Sequence, residues 1–257
     1  MNCRFDDGMA NGYKSSSQII RFLTESWMEA NMYCPRCGSE KIVHFPNNRA
    51  VADFYCPVCN CQYELKSKSG AVGNRIADGA YDTFIQRITS NDNPDFFVLS
   101  YDRAELCVDN LWIVPKHFFV PGIVEKRRPL ADTAQRAGWI GCNIIFSDIP
   151  VQGRIGVIQN RNIVDKELVM DKLRQASLLH TDNLDARGWL MDILNCVNEM
   201  QDDDFTLDEI YRFSQQLKIR HPGNNNIQPK IRQQLQILRD RGFIKFVKPG
   251  HYRRCLN

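Results

Sequence analysis

The spacing of apolar positions predicts a mixed α/β chain. Helices are predicted where apolar residues recur every three or four positions: 15–32, 78–88 and 165–179. Strands are predicted where short runs of apolar, aromatic and β-branched residues lie between polar turns: 51–55, 62–66, 96–101, 106–114, 143–146 and 153–159. The runs at 96–101 and 106–114 are expected to pair, because a turn signal near Asp102 lies between them.

The pattern changes after the polar segment 180–183, which predicts a boundary between two domains, 1–182 and 183–257. Helices are predicted beyond it at 184–200, from Thr206 onward and at 227–240. Thr206 followed by Glu209 is a capping box, which favours the start of a helix there. The last predicted strands, 243–246 and 252–255, flank a Pro-Gly turn. Three helices followed by a hairpin are typical of a winged-helix domain.

Two CxxC pairs lie in the segment MYCPRCGSEKIVHFPNNRAVADFYCPVCNCQYELKSK, residues 32–68. The pairs are Cys34 with Cys37 and Cys56 with Cys59. Each pair can bind one metal ion through both thiolates, and two such pairs complete a tetrahedral zinc site. Four thiolates leave no open position for water, so the zinc is predicted to be structural. Disulfides or free thiols are the alternative. Cys61 could replace Cys59 as a ligand, although the spacing favours Cys59.

Acidic and basic residues flank the second of these pairs. If that pair forms the turn of an antiparallel hairpin, Asp53 and Glu64 lie near each other across it. Glu64 and Lys66 then share a face of their strand, while Leu65 points to the core. The two carboxylates and the Leu65 carbonyl offer oxygen ligands for Mg²⁺, and Lys66 could orient a water beside a phosphodiester. The group therefore predicts metal-assisted phosphodiester hydrolysis; a surface hairpin with a salt bridge is the alternative.

Four segments, VADFYC, ELKSK, RRPLADTAQRAGWIGCNI and IRQQLQILRD, resemble the DpnI family of methyl-directed restriction endonucleases. The resemblance implies a PD-(D/E)xK nuclease core with a four-cysteine zinc site, followed by a winged helix. It also implies Mg²⁺-dependent cleavage of double-stranded DNA at GATC sites that contain N6-methyladenine. It assigns the catalytic roles to Asp53, Glu64 and Lys66, and zinc binding to the four paired cysteines. Ala52 departs from the broad nuclease motif, which has proline at that position.

Two segments of the first predicted domain carry candidate DNA contacts. The polar loop 67–74 follows Lys66, and its Lys68 and Ser69 could touch phosphates; a plain linker is the alternative. The basic segment 126–143 carries Arg136 and Trp139, which suit phosphate or guanine contact and stacking. A core tryptophan with solubilising arginines is the alternative there. The family resemblance places Arg136 and Trp139 near the methyladenine.

The predicted helix at 227–240 is the third helix of the winged helix, which in such a module enters the major groove. Its outward face is expected to include Lys230, Arg232, Gln233, Gln234 and Arg239. Lys248 and Arg253 on the hairpin are expected to lie along the DNA backbone. A protein-binding winged helix is the alternative, but the density of Arg, Lys and Gln on one helix favours DNA.

Composition narrows the class of protein further. The 257 residues, 43% of them hydrophobic, suffice for one or two packed domains. The sequence shows neither a bilayer-spanning apolar run nor the apolar core of a signal peptide. We therefore expect a cytoplasmic protein, acting as a monomer, whose ten cysteines stay reduced. A net charge of +3 does not by itself indicate a DNA-binding protein, so that prediction rests on the local basic clusters.

Two other functions remain open at this point. A zinc-ribbon and winged-helix regulator without catalysis would share the zinc and the basic clusters, but it would not need Asp53, Glu64 and Lys66. A repair or junction nuclease would use those residues and cut without regard to adenine methylation.

Overall fold

The structure, a computed structural model, describes residues 1–6, 8, 15–46, 52–90 and 92–255. The helices of this part are α1 Ser16–Asn31, α2 Tyr81–Ile88, α3 Lys166–Ser177, α4 Leu184–Asn198, α5 Leu207–Tyr211, α6 Ser214–Arg220 and α7 Ile227–Asp240. The strands are β1 Val43–His44, β2 Phe54–Tyr55, β3 Gln62–Ser69, β4 Arg75–Ala80, β5 Asp95–Asp102, β6 Cys107–Val114, β7 Val124–Lys126, β8 Gly141–Ile145, β9 Ile155–Gln159, β10 Asn162–Ile163, β11 Asp204–Thr206, β12 Ile244–Lys248 and β13 His251–Arg254. The predicted mixed α/β class is confirmed.

The largest sheet has seven strands in the order β1-β2-β3-β5-β6-β9-β10. Its β3 and β5 are parallel, and all other neighbours are antiparallel. β5 is buried from Asp95 to Tyr101, which explains its unbroken apolar run: a strand covered on both faces does not alternate. Phe84 of α2 meets Phe96 of β5 edge to face, with ring centroids 6.2 Å apart. The core of this half therefore lies around β5.

A second sheet, in the order β4-β8-β7, lies under α2. Its β4 and β8 are antiparallel, and their register shifts between Asp78 and Ala80. Such a bulge leaves one residue unpaired and changes the direction of a neighbouring side chain. The small sheet is not paired with β3 through the backbone, but the Asp78 side chain of β4 accepts from Lys66 of β3.

The structure corrects two of the predicted element boundaries. The predicted helix 78–88 begins only at Tyr81, because residues 75–80 pair with β8 as a strand. Lys68 and Ser69 lie on a strand rather than in a loop, because the parallel pairing of β3 with β5 continues through Ser69 and Tyr101. In both places, pairing with a distant strand overrides the local pattern. Part of the predicted strand 51–55 lies outside the described residues.

The C-terminal part has the predicted winged-helix arrangement. α7 has the predicted bounds 227–240, and the capping box of Thr206 and Glu209 is present at the start of α5. The middle helix is divided into α5 and α6. The hairpin of β12 and β13 gains a third strand, β11, that the sequence did not predict.

Helix α4 joins this part to residues 116–118, 148 and 152 of the first part. Seven of its residues are buried, including Trp189 and Cys196, so it is covered on more than one face. The amides of Gln152 and Asn198 exchange two hydrogen bonds of 3.0 and 2.9 Å. Asn195 donates to the Asp148 carbonyl at 2.7 Å. The two parts are thus held together by buried apolar surface as well as polar contacts.

Within the described residues, no helix is both long enough and apolar enough to cross a bilayer.

Substituting Gly153 by alanine should destabilise the junction next to α4. A Cβ at this position would lie 2.5 Å from the ring of Phe118, and that ring is fully buried. We expect a loss of about 1–3 kcal/mol in the free energy of unfolding, as for other overpacked sites. Urea denaturation measures this loss. Gly122→Ala is the matched control, because its Cβ would meet no atom within 4 Å. Equal stability of the two variants would contradict the prediction.

Candidate metal centre and carboxylate site

Two loops of the same shape carry the paired cysteines. The amide of Gly38 donates to the Cys34 carbonyl at 2.8 Å, and that of Asn60 donates to the Cys56 carbonyl at 2.9 Å. Gly38 and Asn60 both have a positive φ, of 77° and 59°. This conformation suits glycine and is tolerated by asparagine. Each CxxC sequence is thus followed by a residue type that suits its tight turn.

The two loops bring four thiols together. The sulfur atoms of Cys34, Cys37, Cys56 and Cys59 all lie within 4.8 Å of one another. Cys34 Sγ is 3.5 Å from Cys59 Sγ, and Cys37 Sγ is 3.6 Å from Cys56 Sγ. Zinc–sulfur bonds of about 2.3 Å in a tetrahedron require sulfur atoms about 3.8 Å apart, so the cluster fits zinc. Cys61 is not part of this group.

Groups outside the cluster also reach its sulfur atoms. The Tyr63 hydroxyl lies 3.0 Å from Cys34 Sγ, and the Val58 amide donates to Cys56 Sγ at 3.4 Å. Burial acts to raise the pKa of Cys56, but backbone N–H groups and the neighbouring thiols outweigh it, and the pKa falls to about 7. A lowered pKa favours the thiolate that a metal ion requires. Burial raises the pKa of Cys34 and of Cys59 in the same cluster. All ten cysteines are free thiols in the structure.

The second loop is also the turn of the β2–β3 hairpin. Tyr55 pairs with Gln62 and Phe54 with Tyr63, so Asp53 is the next residue along and lies beside Glu64. The Asp53 amide donates to the Tyr63 carbonyl at 3.0 Å, and its carboxylate accepts from the Leu65 amide at 2.7 Å. The Asp53 side chain therefore lies along the edge of β3.

That edge has no partner strand beyond Tyr63 among the described strands, because β2 ends and β5 lies on the opposite edge. In a strand, the N–H and C=O of one residue point to the same edge. Since the Leu65 N–H meets Asp53, the Leu65 carbonyl points to the same side. The Asp53 carboxylate and the Leu65 carbonyl therefore lie on the same edge of β3.

Glu64 and Lys66 form part of a buried ion-pair network. Lys66 Nζ lies 2.5 Å from Glu64 Oε1 and 2.6 Å from Asp78 Oδ1. The second Glu64 oxygen faces Arg87 at 2.7 Å. The four side chains are between 8% and 19% exposed. Burial acts to lower the pKa of Lys66, but the Glu64 and Asp78 carboxylates outweigh it and raise the pKa, so the ammonium stays charged.

The network also contains buried polar atoms that lack a hydrogen-bond partner among the described residues. These atoms are Asp78 Oδ2, Arg87 Nε and one terminal nitrogen of Arg87. Buried groups of this kind are costly unless water, an ion or a ligand completes them. Their concentration around Glu64 and Lys66 fits a site that binds a cation and a polar substrate.

Sequence reasoning missed two residues of this network, Asp78 and Arg87. Asp78 comes from β4 and Arg87 from α2. Neither residue belongs to a motif of defined spacing with Glu64 or Lys66. The predicted helix 78–88 includes Asp78, and a helix at that position indicates no contact with Lys66. No sequence signal in the chain connects either residue to the hairpin.

The candidate DNA contacts of the first 182 residues lie on exposed or half-buried positions. Lys68 and Ser69 are exposed near the end of β3, and the Lys68 ammonium donates to the Val72 carbonyl at 3.1 Å. The Arg136 guanidinium stacks 4.8 Å above the ring of Trp139. Trp139 is half-buried and covers Gly141, where a Cβ would come within 2.8 Å of the indole. The indole is therefore neither a core residue nor free in solvent.

The structure corrects one residue of the predicted groove-reading face. Gln234 is 1% exposed and lies on the inner side of α7 beside Leu235. The helical period places it there, because it lies three residues after the buried Ile231. Arg232 and Gln233 are exposed.

The remaining candidates of the winged helix are accessible, some of them with intramolecular partners. Lys230 is half-buried and lies 5.9 Å above the Trp189 ring. Arg239 and Arg253 are exposed and pair with Asp240 and Asp204. Lys248 is exposed on β12.

Comparison with protein families gives two matches. Residues 1–182 match the model of the Dam-replacing family, DpnI, and residues 185–254 match the Dam-replacing HTH domain, DpnI_C.

Replacing Cys37 by serine should remove one thiolate of the cluster and weaken the fold of the hairpin. We expect the unsubstituted protein to contain about one zinc ion per chain. The zinc content of the variant should fall well below that level, because the site requires four ligands. The thermal unfolding temperature should fall as well, since metal binding contributes directly to folding. Elemental analysis and thermal unfolding check both effects. Cys61→Ser is the matched control, because Cys61 lies outside the cluster. A folded Cys37→Ser variant without zinc and with unchanged stability would contradict this prediction.

Proposed function

Because this chain belongs to the Dam-replacing family, DpnI, we propose that it is a type II restriction endonuclease that depends on Mg²⁺. Its proposed substrate is double-stranded DNA at GATC sites that contain N6-methyladenine. The observation that supports the proposal is that the Asp53 carboxylate accepts from the Leu65 amide on β3, between Glu64 and Lys66, which form an ion pair. This arrangement is the one expected of a PD-(D/E)xK nuclease core.

The metal ligands in this proposal are Asp53, Glu64 and the Leu65 carbonyl, which supply the hard oxygen atoms that Mg²⁺ prefers. Bound Mg²⁺ would polarise the scissile phosphate and acidify a water molecule. Lys66 donates to that water or to a phosphate oxygen, which orients the nucleophile and stabilises the charge that develops. The Leu65 side chain packs against the core, so the strand that carries these groups is fixed in place.

Zinc at the four cysteines has a structural role in this proposal. Four thiolates complete a tetrahedron and leave no position for a substrate or a water. The second CxxC loop connects β2 to β3, so zinc bound there fixes the turn that places Asp53 beside β3. The site thereby supports catalysis without taking part in it.

The winged helix, from residue 183, is proposed as a second DNA-binding domain that follows a nuclease domain of residues 1–182. In this arrangement the exposed Arg232 and Gln233 of α7 contact a DNA groove, and Lys248 on the hairpin contacts the DNA backbone. Arg136 and Trp139 are proposed to contact DNA near the methylated base, because the stacked pair offers a cation and an apolar ring together. We further propose that the protein acts as a monomer in the cytoplasm.

Replacing Asp53 by asparagine should abolish cleavage while DNA binding is retained. Asparagine keeps an oxygen that can accept from the Leu65 amide, but it removes the charge that binds Mg²⁺. We expect cleavage of a methylated GATC plasmid to fall by more than about a hundredfold, because residues that merely support metal ligands already change activity by about 10- to 100-fold. Binding of a methylated duplex in Ca²⁺ should stay within about twofold of the original. Asp171→Asn, on the exposed surface of α3, is the control.

The unsubstituted protein must first be tested with Mg²⁺ on methylated and unmethylated GATC plasmids. Cleavage of the methylated plasmid alone supports the proposal. Cleavage of neither plasmid would favour a regulator without catalysis. Cleavage of both would indicate a nuclease that ignores adenine methylation.

Replacing Arg232 by alanine should weaken DNA binding by the winged helix. If Arg232 contacts a base, we expect the free energy of DNA binding to weaken by about 1–3 kcal/mol. If it contacts a phosphate, the slope of log affinity against log salt concentration should fall in magnitude by about one. Fluorescence anisotropy over a series of salt concentrations distinguishes the two. Arg174→Ala on α3 removes the same charge from an exposed position elsewhere and serves as the control. Equal affinities of the two variants would contradict a role of α7 in DNA binding.

A further inference from the structure

Four charged side chains from three elements meet beside the proposed catalytic strand. Glu64 and Lys66 come from β3, Asp78 comes from β4 and Arg87 comes from α2. Two are acidic and two are basic, so the network is electrically balanced without any metal ion. The proposed mechanism uses Glu64 and Lys66 but gives no role to Asp78.

Lys66 needs a counter-ion because its ammonium is buried. Its side chain is 16% exposed and lies near the Phe96 ring, with Nζ 5.9 Å from the centroid. A buried ammonium is costly unless it is paired and hydrogen-bonded. Of its two carboxylate partners, Glu64 is also proposed to bind Mg²⁺ and is shared with Arg87. Glu64 is therefore a weaker partner for Lys66 once a divalent cation is bound, whereas Asp78 stays available.

The backbone holds Asp78 in a fixed orientation. Its Oδ1 accepts from Lys66 Nζ at 2.6 Å and from the Gly79 amide at 2.6 Å. Asp78 pairs with Cys142 on β8, directly before the register shift. Its side chain is only 8% exposed. The β-bulge thus fixes one carboxylate oxygen at the position that the ammonium occupies.

We infer that Asp78 is a positioning residue of the active site, which holds the Lys66 ammonium in place while Glu64 binds the metal ion. This inference rests on the proposed function. Asp78 does not contact substrate or metal in this role, and it acts only through Lys66. Its removal should therefore slow the chemical step and leave DNA binding and Mg²⁺ binding unchanged.

The test compares Asp78→Asn with the unsubstituted protein in single-turnover cleavage of a methylated GATC duplex. Asparagine keeps the size of the side chain and can still accept from the Gly79 amide, but it does not carry the charge. Asp82→Asn is the control, since Asp82 is an exposed acid four residues further along. DNA affinity, the Mg²⁺ concentration for half-maximal rate and thermal unfolding are measured for every variant.

We expect the cleavage rate of Asp78→Asn to fall by about 10- to 100-fold, as for other residues that orient a catalytic group. DNA affinity and the Mg²⁺ midpoint should stay within about twofold of the original, and Asp82→Asn should be unchanged. In a Lys66→Met background, Asp78→Asn should have no further effect, because residues that act through one contact are not additive. Asp78→Glu keeps the charge and should recover part of the rate.

Three results would overturn the inference. The first is an unchanged rate for Asp78→Asn. The second is a full further loss in the Lys66→Met background, which would show that Asp78 acts independently of Lys66. The third is a raised Mg²⁺ midpoint, which would make Asp78 a metal ligand.

If Asp78→Asn does not fold, Asp78→Glu is used in the same comparison, and an additive loss with Lys66→Met overturns the inference again. Absence of cleavage by the unsubstituted protein would instead refute the proposed function.

Discussion

The structure around the candidate site depends on the pairing of a two-residue strand, β2, with the longer β3 across a turn. β2 has two residues, and it is paired with β3 only through Phe54 and Tyr55. A hairpin with so few paired residues is at best marginally stable on its own. Here the turn between the strands carries Cys56 and Cys59, whose thiols meet those of Cys34 and Cys37. A zinc ion at these four thiols would tie both ends of the segment together, which explains why a metal site and a carboxylate site share one stretch of sequence.

The hairpin acts on the carboxylate site through the backbone of β3. The Asp53 carboxylate takes the place of a neighbouring strand and accepts the Leu65 N–H. Parallel pairing with β5 fixes the opposite edge of the same strand. Glu64 and Lys66 therefore project from a strand that is held on both sides, and Lys66 lies over the buried ring of Phe96. A rigid element of this kind holds functional side chains more accurately than a loop.

The family to which this chain belongs gives the general function, a methylation-dependent restriction endonuclease. The described structure adds how its two parts are connected. Helix α4 belongs to the winged helix, yet its Asn195 and Asn198 bond to residues 148 and 152 of the first part. Arg220 of α6 reaches Asp148 at 2.6 Å. The winged helix is thus attached to the first part by specific side-chain contacts, in addition to the chain itself.

The amino-acid sequence by itself determined the features that depend on local spacing. The CxxC pairs predicted the thiol cluster because four residues are enough to place two sulfur atoms on one side of a turn. The bounds of α7 and the capping box at Thr206 followed from helical periodicity and from one short motif. The β2–β3 hairpin followed from two short runs on either side of a turn. Family resemblance supplied the biological function, which local spacing could not.

Only the tertiary structure decided the features that depend on pairing between distant segments. Asp78 and Arg87 reach Lys66 and Glu64 through a second sheet and a helix that are not adjacent to β3 in the sequence. Lys68 and Ser69 became part of a strand because β5 continues alongside them, although their own residues are typical of a loop. In each case the deciding energy comes from contacts made only after the chain has folded, so no local pattern records it.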